Sequence, residues 1–338
     1  MKHCYVKVTR GLAALALALP PSSHAEDVAE VPPPSSVALG IEGTRFTLNA
    51  SPTFLLGFSY YGALGAKEEF VKRDLRAFNE HGFNWLRVWA TWNAFDHETA
   101  AFDTQGRVRK PMMNRLKMLV QEADALGMVV DVTLHRGEEL PTFEAHLAAV
   151  EYLVDELEPW SNWYLDLANE RDVGDGRFVS IEELRKMRDR VRELDPKRIV
   201  TASFGGHDLS KSDVRQILVG AGADFLAPHR PRHPKSSKET EAKAKQCLAF
   251  AKELGRPVPV HFQEPFRRGY TDWQPVAQDF LTDLKGAHAG GAAGWCFHNG
   301  ATRGVNDERP RRSFDLTEAS LIDQLDAEER AFVFSAKE

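Results

Sequence analysis

Three cysteines in 338 residues are too few for a disulfide scaffold, and no Cys-x-x-Cys or paired His/Cys spacing signals structural zinc. No apolar run approaches the roughly 20 residues that a membrane-spanning helix needs. The stretch GFSYYGALG (57–65) lacks the GxGxxG or GxxxxGK spacing of a phosphate-binding loop. Positive charge is not in excess either. Lys and Arg total 43 against 49 Asp and Glu, a formal charge of -6, which argues against nucleic acid or an anionic membrane surface as partner. No repeat, coiled-coil or stalk pattern suggests a structural role.

The amino-terminal 25 residues read as a removable export signal. Lys2, Lys7 and Arg10 form a basic start, GLAALALAL (11–19) a nine-residue apolar core, and Ser23-His24-Ala25 a small-x-small cleavage site. The expected location is therefore secreted or periplasmic, without stable membrane insertion. Cleavage would move the charge from -6 to -9 and leave Cys247 and Cys296, as one disulfide or as two buried thiols. Residues 26–36, EDVAEVPPPSS, read as an acidic, proline-rich linker. Residues 37–338 then form a single domain, expected to be a monomer.

Within that domain, short strands broken by Gly43, Asn49 and Pro52 predict an amino-terminal hairpin. Eight apolar runs follow, alternating with eight helical segments near 67–80, 111–126, 142–158, 180–194, 210–220, 237–254, 273–287 and 318–334. The runs are FLLGFSY, NWLRVWA, MVVDVTL, WYLDLAN, RIVTASF, DFLAPH, VPVHFQ and AAGWCF. Runs without polar alternation suit strands buried on both faces, and Gly82, Gly127 and Gly255 sit where helices should end. The pattern predicts an α/β fold, a (β/α)8 TIM barrel with a short amino-terminal β-hairpin, in preference to an open doubly wound sheet.

In such a barrel the site lies at the carboxyl ends of the strands. Tyr60 and Tyr61, Arg87, Trp89 and Trp92, His135, Asn169 and Glu170, His207, His229, Glu264, Trp295 and His298 all fall there. Two of them are glutamates, on the fourth and seventh strands. A pair of carboxylates is the minimum equipment for glycosidic cleavage, one as acid and the other as nucleophile or base.

These positions resemble glycoside hydrolase clan A, and most of all its family 5, over about residues 38–335. The resemblance rests on Asn169-Glu170 ending the fourth strand, Glu264 ending the seventh, Arg87, His135, His229, Trp295, and the opening F-x-L-N-x-x-P-x-F-L-x-G-x-S-Y-Y. It implies a retaining hydrolase of a β-linked poly- or oligosaccharide that needs no metal or organic cofactor, with Glu170 as acid/base and Glu264 as nucleophile. A retaining pair lies about 5–5.5 Å apart, so an ionised Glu264 is expected to keep Glu170 protonated, with Arg87 lowering the pKa of Glu264. Asn169 is expected on the sugar 2-OH. His135 and His229 are expected to position hydroxyls or carboxylates, and Trp295, extended by Trp89 and Trp92, to offer a flat face to a pyranose. One of Tyr60 and Tyr61 is expected to point inward, with Tyr61 counted among the binding residues, whereas His207 and His298 are expected at the periphery.

Two departures stand out. Many family members carry a Tyr, hydrogen-bonded to the nucleophile, where this chain has Pro231, and Tyr270 or Arg232 are the candidate substitutes. Ser59 stands where many have Asn. Two rival readings remain: a carbohydrate-binding barrel without activity, and a metal-dependent hydrolase using His135, His207, His229 and Glu264.

Overall fold

A computed structural model of the chain describes Met1 and residues 35–93, 97–299 and 314–337. Residues Pro34–Glu338 make up one compact unit. Residues 2–34, which hold nearly all of the expected export signal and linker, lie outside the described residues.

The eight apolar runs become eight parallel strand positions. In order they are Leu55–Ser59, Trp85–Trp89, Val129–Thr133, Trp163–Asp166, a fifth in two pieces (Val200–Thr201 and Ser203–Phe204), Ala227–Pro228, His261–Phe262 and Gly294–Phe297. Ladders join the seventh strand through the eighth, first, second, third and fourth to the start of the fifth. The end of the fifth pairs with the sixth, and a parallel bridge from Leu226 to Val260 links sixth to seventh. The ring is closed, as predicted.

Helices at Glu68–Glu80, Lys110–Ala125, Phe143–Glu156, Ile181–Leu194, Ser236–Glu253 and Ala277–Ala289 fall close to the predicted segments. The fifth helix, Lys211–Arg215, runs on into a π-helical stretch, Gln216–Ala221. The last predicted helix is two, Leu321–Gln324 and Ala327–Ser335. Leu325, between them, is extended, and Asp326 starts a new capping box with Glu329. The amino-terminal hairpin is a three-stranded antiparallel meander, Leu39–Glu42, Arg45–Leu48 and Ser51–Thr53.

Strand parity divides the core in two. Leu56, Phe58, Leu86, Val88, Val130, Val132, Trp163, Leu165, Trp295 and Phe297 belong to the layer between strands and helices. Leu55, Trp85, Val129, Tyr164, Phe225 and Cys296 fill the barrel, where Phe46 of the meander packs on Phe225 and His261. Gly57 makes room for the large inward Trp85, because a Cβ there would lie 2.0 Å from the indole. Further in, the filling turns polar. Asp131 accepts from Tyr164 (3.0 Å) and Gln263 (2.7 Å), and burial, partly offset by Arg87, pushes its pKa up to about 8.

Candidate active site

The buried polar layer is the floor on which Arg87 stands. It is fully buried. Its guanidinium donates to Thr133 (3.1 Å), Asp166 (2.8 Å), Asn169 Oδ1 (3.0 Å) and Glu264 Oε1 (2.5 Å). A buried cation with this many acceptors has one available orientation, so it sets both the nucleophile candidate and the Asn before Glu170.

Glu264 receives a second guanidinium on its other oxygen, Arg232 at 2.8 Å. Tyr61 adds a long contact of 3.5 Å. Burial works to raise the pKa of Glu264. The facing His229 ring and the Arg87 and Arg232 charges outweigh it, so the group stays well below the ordinary carboxylate range. Arg232 thus fills the position left by Pro231, as one of the two candidates raised from the sequence.

Glu170 lies just beyond Asn169 in a left-handed backbone conformation, φ 48°, which costs a residue with a Cβ about 1–2 kcal/mol. Its N–H is held by Ser203 Oγ (3.1 Å). One carboxylate oxygen of Glu170, one of Glu264 and a ring nitrogen of His229 all come within 4.8 Å of one another. His229 Nδ1 lies 3.3 Å from Glu170 and 3.7 Å from Glu264. Arg177, from the loop after the fourth strand, pairs with the other Glu170 oxygen at 2.8 Å.

The electrostatics of Glu170 differ from expectation. Burial raises its pKa and Glu264 adds to that, yet the hydrogen bond and charge of His229, with Arg232, bring it below the ordinary value. Repulsion from Glu264 does not by itself keep Glu170 protonated. The cations that hold Glu264 ionised are close enough to act on both carboxylates.

Other sequence expectations divide. Asn169 turns its Nδ2 toward His135 (3.5 Å), on the Glu170 side of the rim, and burial with Arg177 lowers the His135 pKa to about 4. Tyr61 faces inward, while Tyr60 is bonded to Asp74 (2.7 Å). Trp295 is a correction: it is fully buried, its indole donates to Asp283 at 2.6 Å, and it packs on Phe332. It shares strand parity with Phe297 and faces the helices, so it offers no face to a sugar. Trp89 is corrected in part. It lies at the rim but is 2% exposed, stacked by Tyr61 (3.9 Å, 11°) and capped by Arg87 at 4.3 Å. Trp92 is the partly exposed member of that pair.

His298 was expected at the periphery and is instead in the site. Its Nδ1 meets Ser59 Oγ at 3.0 Å, and its Nε2 accepts from Arg267 (3.0 Å) and lies 3.4 Å from Glu264. Arg267 received no role from the sequence, because it lies in the loop after the seventh strand and its contacts with Tyr61 and His298 exist only in the folded chain. His207 is peripheral, near Asp172 and Asp213 at 3.5 Å each. The metal-binding set His135, His207, His229 and Glu264 does not assemble. The three-residue cluster that does form has Arg87 and Arg232 on Glu264, which disfavours a divalent cation.

Comparison with solved structures bears on the fold. The endo-1,4-beta-mannanase from Rhizomucor miehei superposes with a TM-score of 0.63, covering 88% of this chain and 97% of that one at 16% identity. The hyperthermostable endo-1,4-beta-D-mannanase from Thermotoga petrophila RKU-1 gives 0.61, covering 84% and 99% at 14% identity. A Glycoside Hydrolase Family 5 Mannosidase from Rhizomucor miehei, an E301A mutant, gives 0.62, covering 90% and 97% at 13% identity. The fold is that of family 5 glycoside hydrolases. No family model matches the sequence.

One stretch has a different likeness. The Ribosomal RNA small subunit methyltransferase G of Mycolicibacterium paratuberculosis (strain ATCC BAA-968 / K-10) is 31% identical over 146 residues, covering 39% of this chain and 52% of that protein. Its namesake in Mycobacterium avium (strain 104) is 31% identical over 146 residues, covering 39% and 53%. The chain spans about half the length of these curated relatives. The likeness in fold to the glycoside hydrolases, by contrast, extends over 84–90% of the chain. No helix among the described residues is long and apolar enough to cross a membrane.

Proposed function

We propose that the protein is a retaining glycoside hydrolase that cleaves a β-linked poly- or oligosaccharide by double displacement. One observation carries the reading. Glu170 and Glu264, from the ends of the fourth and seventh strands, bring carboxylate oxygens within 4.8 Å of each other, close to the short spacing of about 5–5.5 Å that a retaining pair needs and well short of the roughly 6.5–9.5 Å of an inverting one.

Glu264, held ionised by Arg87 and Arg232, attacks the anomeric carbon as the bond to the leaving oxygen breaks. Glu170 gives its proton to that oxygen. Water then attacks the same carbon, Glu170 takes the water proton, and Glu264 leaves as carboxylate. With Asn169 Oδ1 engaged by Arg87, its Nδ2 is the group positioned for a sugar 2-OH. Arg177 blocks one oxygen of Glu170, and its side chain is 31% exposed. An entering sugar can therefore displace it and let Glu170 take up a proton.

The mannanases and mannosidases among the similar structures make β-mannosides the first substrates to try. The test uses 2-deoxy-2-fluoro glycosyl fluorides of gluco and manno configuration, which accumulate the covalent intermediate. Peptide mass mapping should place the label on Glu264 and find none in Glu264→Gln. Turnover that persists in Glu264→Gln would refute the assignment. Export through residues 1–25, releasing a chain that starts with the proline-rich linker, belongs to the same reading. Amino-terminal sequencing of secreted protein checks it.

A further inference from the structure

The rim of the site is richer in cations than splitting a neutral sugar requires. Arg87 and Arg232 are accounted for by Glu264. Arg177 is held by Glu170 and, at 2.7 Å, by Asp175. Arg267 is different. Among the described residues no carboxylate lies within ion-pair distance of it. Its polar contacts are Tyr61 OH (3.2 Å) and His298 Nε2 (3.0 Å). Both are neutral: burial holds the Tyr61 hydroxyl protonated, and burial, reinforced by Arg267 and Arg232, keeps His298 uncharged. The Nε of Arg267 is buried and has no partner among the described residues. Tyr270, 45% exposed, sits over both remaining guanidiniums, 4.5 Å from Arg232 and 4.4 Å from Arg267. An exposed aromatic ring flanked by two cations therefore walls the site on the side of the sixth and seventh strands.

We infer that the substrate carries a negative charge, a carboxylate or sulfate on the sugar ring attacked by Glu264 or on its neighbour, and that Arg267 is the residue that binds it. The inference rests on the hydrolase reading and narrows its substrate class. A guanidinium with an unmet donor beside a site wall is suited to a planar or tetrahedral oxyanion, whereas neutral hydroxyls do not offset its charge. It also fits the state of Glu170. Protonating Glu170 removes one negative charge from a rim that holds four arginines. A substrate anion restores that charge, gives Arg177 an alternative partner, and adds a negative field that favours the protonated acid.

The experiment uses β-1,4-linked oligosaccharides of gluco and manno configuration, each in three forms: uronate, its carboxyl-reduced neutral counterpart, and the neutral chain sulfated at O6. Turnover and direct binding are both measured on the full protein. Loss of one charge-assisted contact corresponds to about 10- to 100-fold. The expected result is that kcat/KM for one acidic form exceeds that of its neutral counterpart by that factor. Arg267→Gln should lower the acidic-to-neutral ratio toward one, and Arg267→Lys should restore part of it. Which acidic form is preferred separates carboxylate from sulfate. Thermal melts of both variants verify folding, and calorimetric binding to unmutated protein gives the ratio independently of any variant.

Equal or better use of the neutral forms overturns the charge inference and leaves the hydrolase reading standing. Charge-selective binding without turnover upholds the inference and sinks the hydrolase reading. Neither binding nor turnover overturns both.

Discussion

Replacing Arg232 with Gln isolates the contact that stands where the family Tyr is missing. The Arg232 and Glu264 side chains are 10% and 5% exposed and 2.8 Å apart, so solvent screens the pair little. A hydrogen bond to a buried charge contributes about 1.5–3 kcal/mol. At about 1.36 kcal/mol per pKa unit, its loss should raise the pKa of Glu264 by about 1–2 units. Arg87, at 2.5 Å, remains, so Glu264 stays ionised at neutral pH and the variant stays active. A carboxylate whose folded pKa is depressed contributes stability above its unfolded pKa and loses it as pH falls through the folded value. The nucleophile likewise works only above its pKa. The acid limb of kcat/KM against pH, measured on an activated aryl β-glycoside, should therefore move up by about 1–2 units. Melting should be lowered at pH 7, with the difference shrinking toward pH 3. An acid limb that does not move would refute the argument that Arg232 sets the charge state of Glu264.

Three further outcomes follow from other contacts. Glu170→Gln should cost about 10²–10⁴-fold on substrates with poor leaving groups and much less on activated aryl glycosides, the signature of a lost general acid; equal losses on both would assign Glu170 another role. Trp295→Phe should destabilise the fold by about 1–3 kcal/mol, since it strips a buried carboxyl of its indole donor, while kcat/KM stays unchanged. A raised KM would return Trp295 to the binding site. Burial lifts Asp283 to about 6, against donors from Thr240 and Trp295. A carboxyl whose folded pKa is raised contributes stability at low pH and loses it as pH rises from about 4 to 6. Urea melts of Asp283→Asn should show a flatter slope across that window, and an unaltered slope would contradict the assignment.

The order of strands and helices was legible from the sequence, because each element announces itself locally. Uninterrupted apolar runs mark strands buried on both faces, and Gly82, Gly127 and Gly255, all with positive φ, end their helices where expected. That same uniformity hid the parity. GWCF is apolar on both faces, so nothing local tells that Trp295 faces the helices, and in WLRVW only Arg87, two residues on, hints that Trp85 fills the barrel. Gly57 decides it in three dimensions by admitting the Trp85 ring.

Glu170, Glu264, Arg87, Asn169 and His229 could be read as a set from their places at strand ends. Which of their neighbours would touch them could not. His298 meets Glu264 from the eighth strand, Arg232 reaches it from the sixth, and Arg267 touches His298 rather than Glu264. These contacts depend on barrel closure, which brings residues distant in the chain within hydrogen-bonding range. The protonation of the pair is likewise a tertiary property. Two nearby carboxylates suggest a raised pKa for one of them, but the cations around Glu170 and Glu264 reverse the direction for the first and fix it for the second. The sequence alone determined the barrel and the two glutamates; closure alone decided what holds them and what charge they carry.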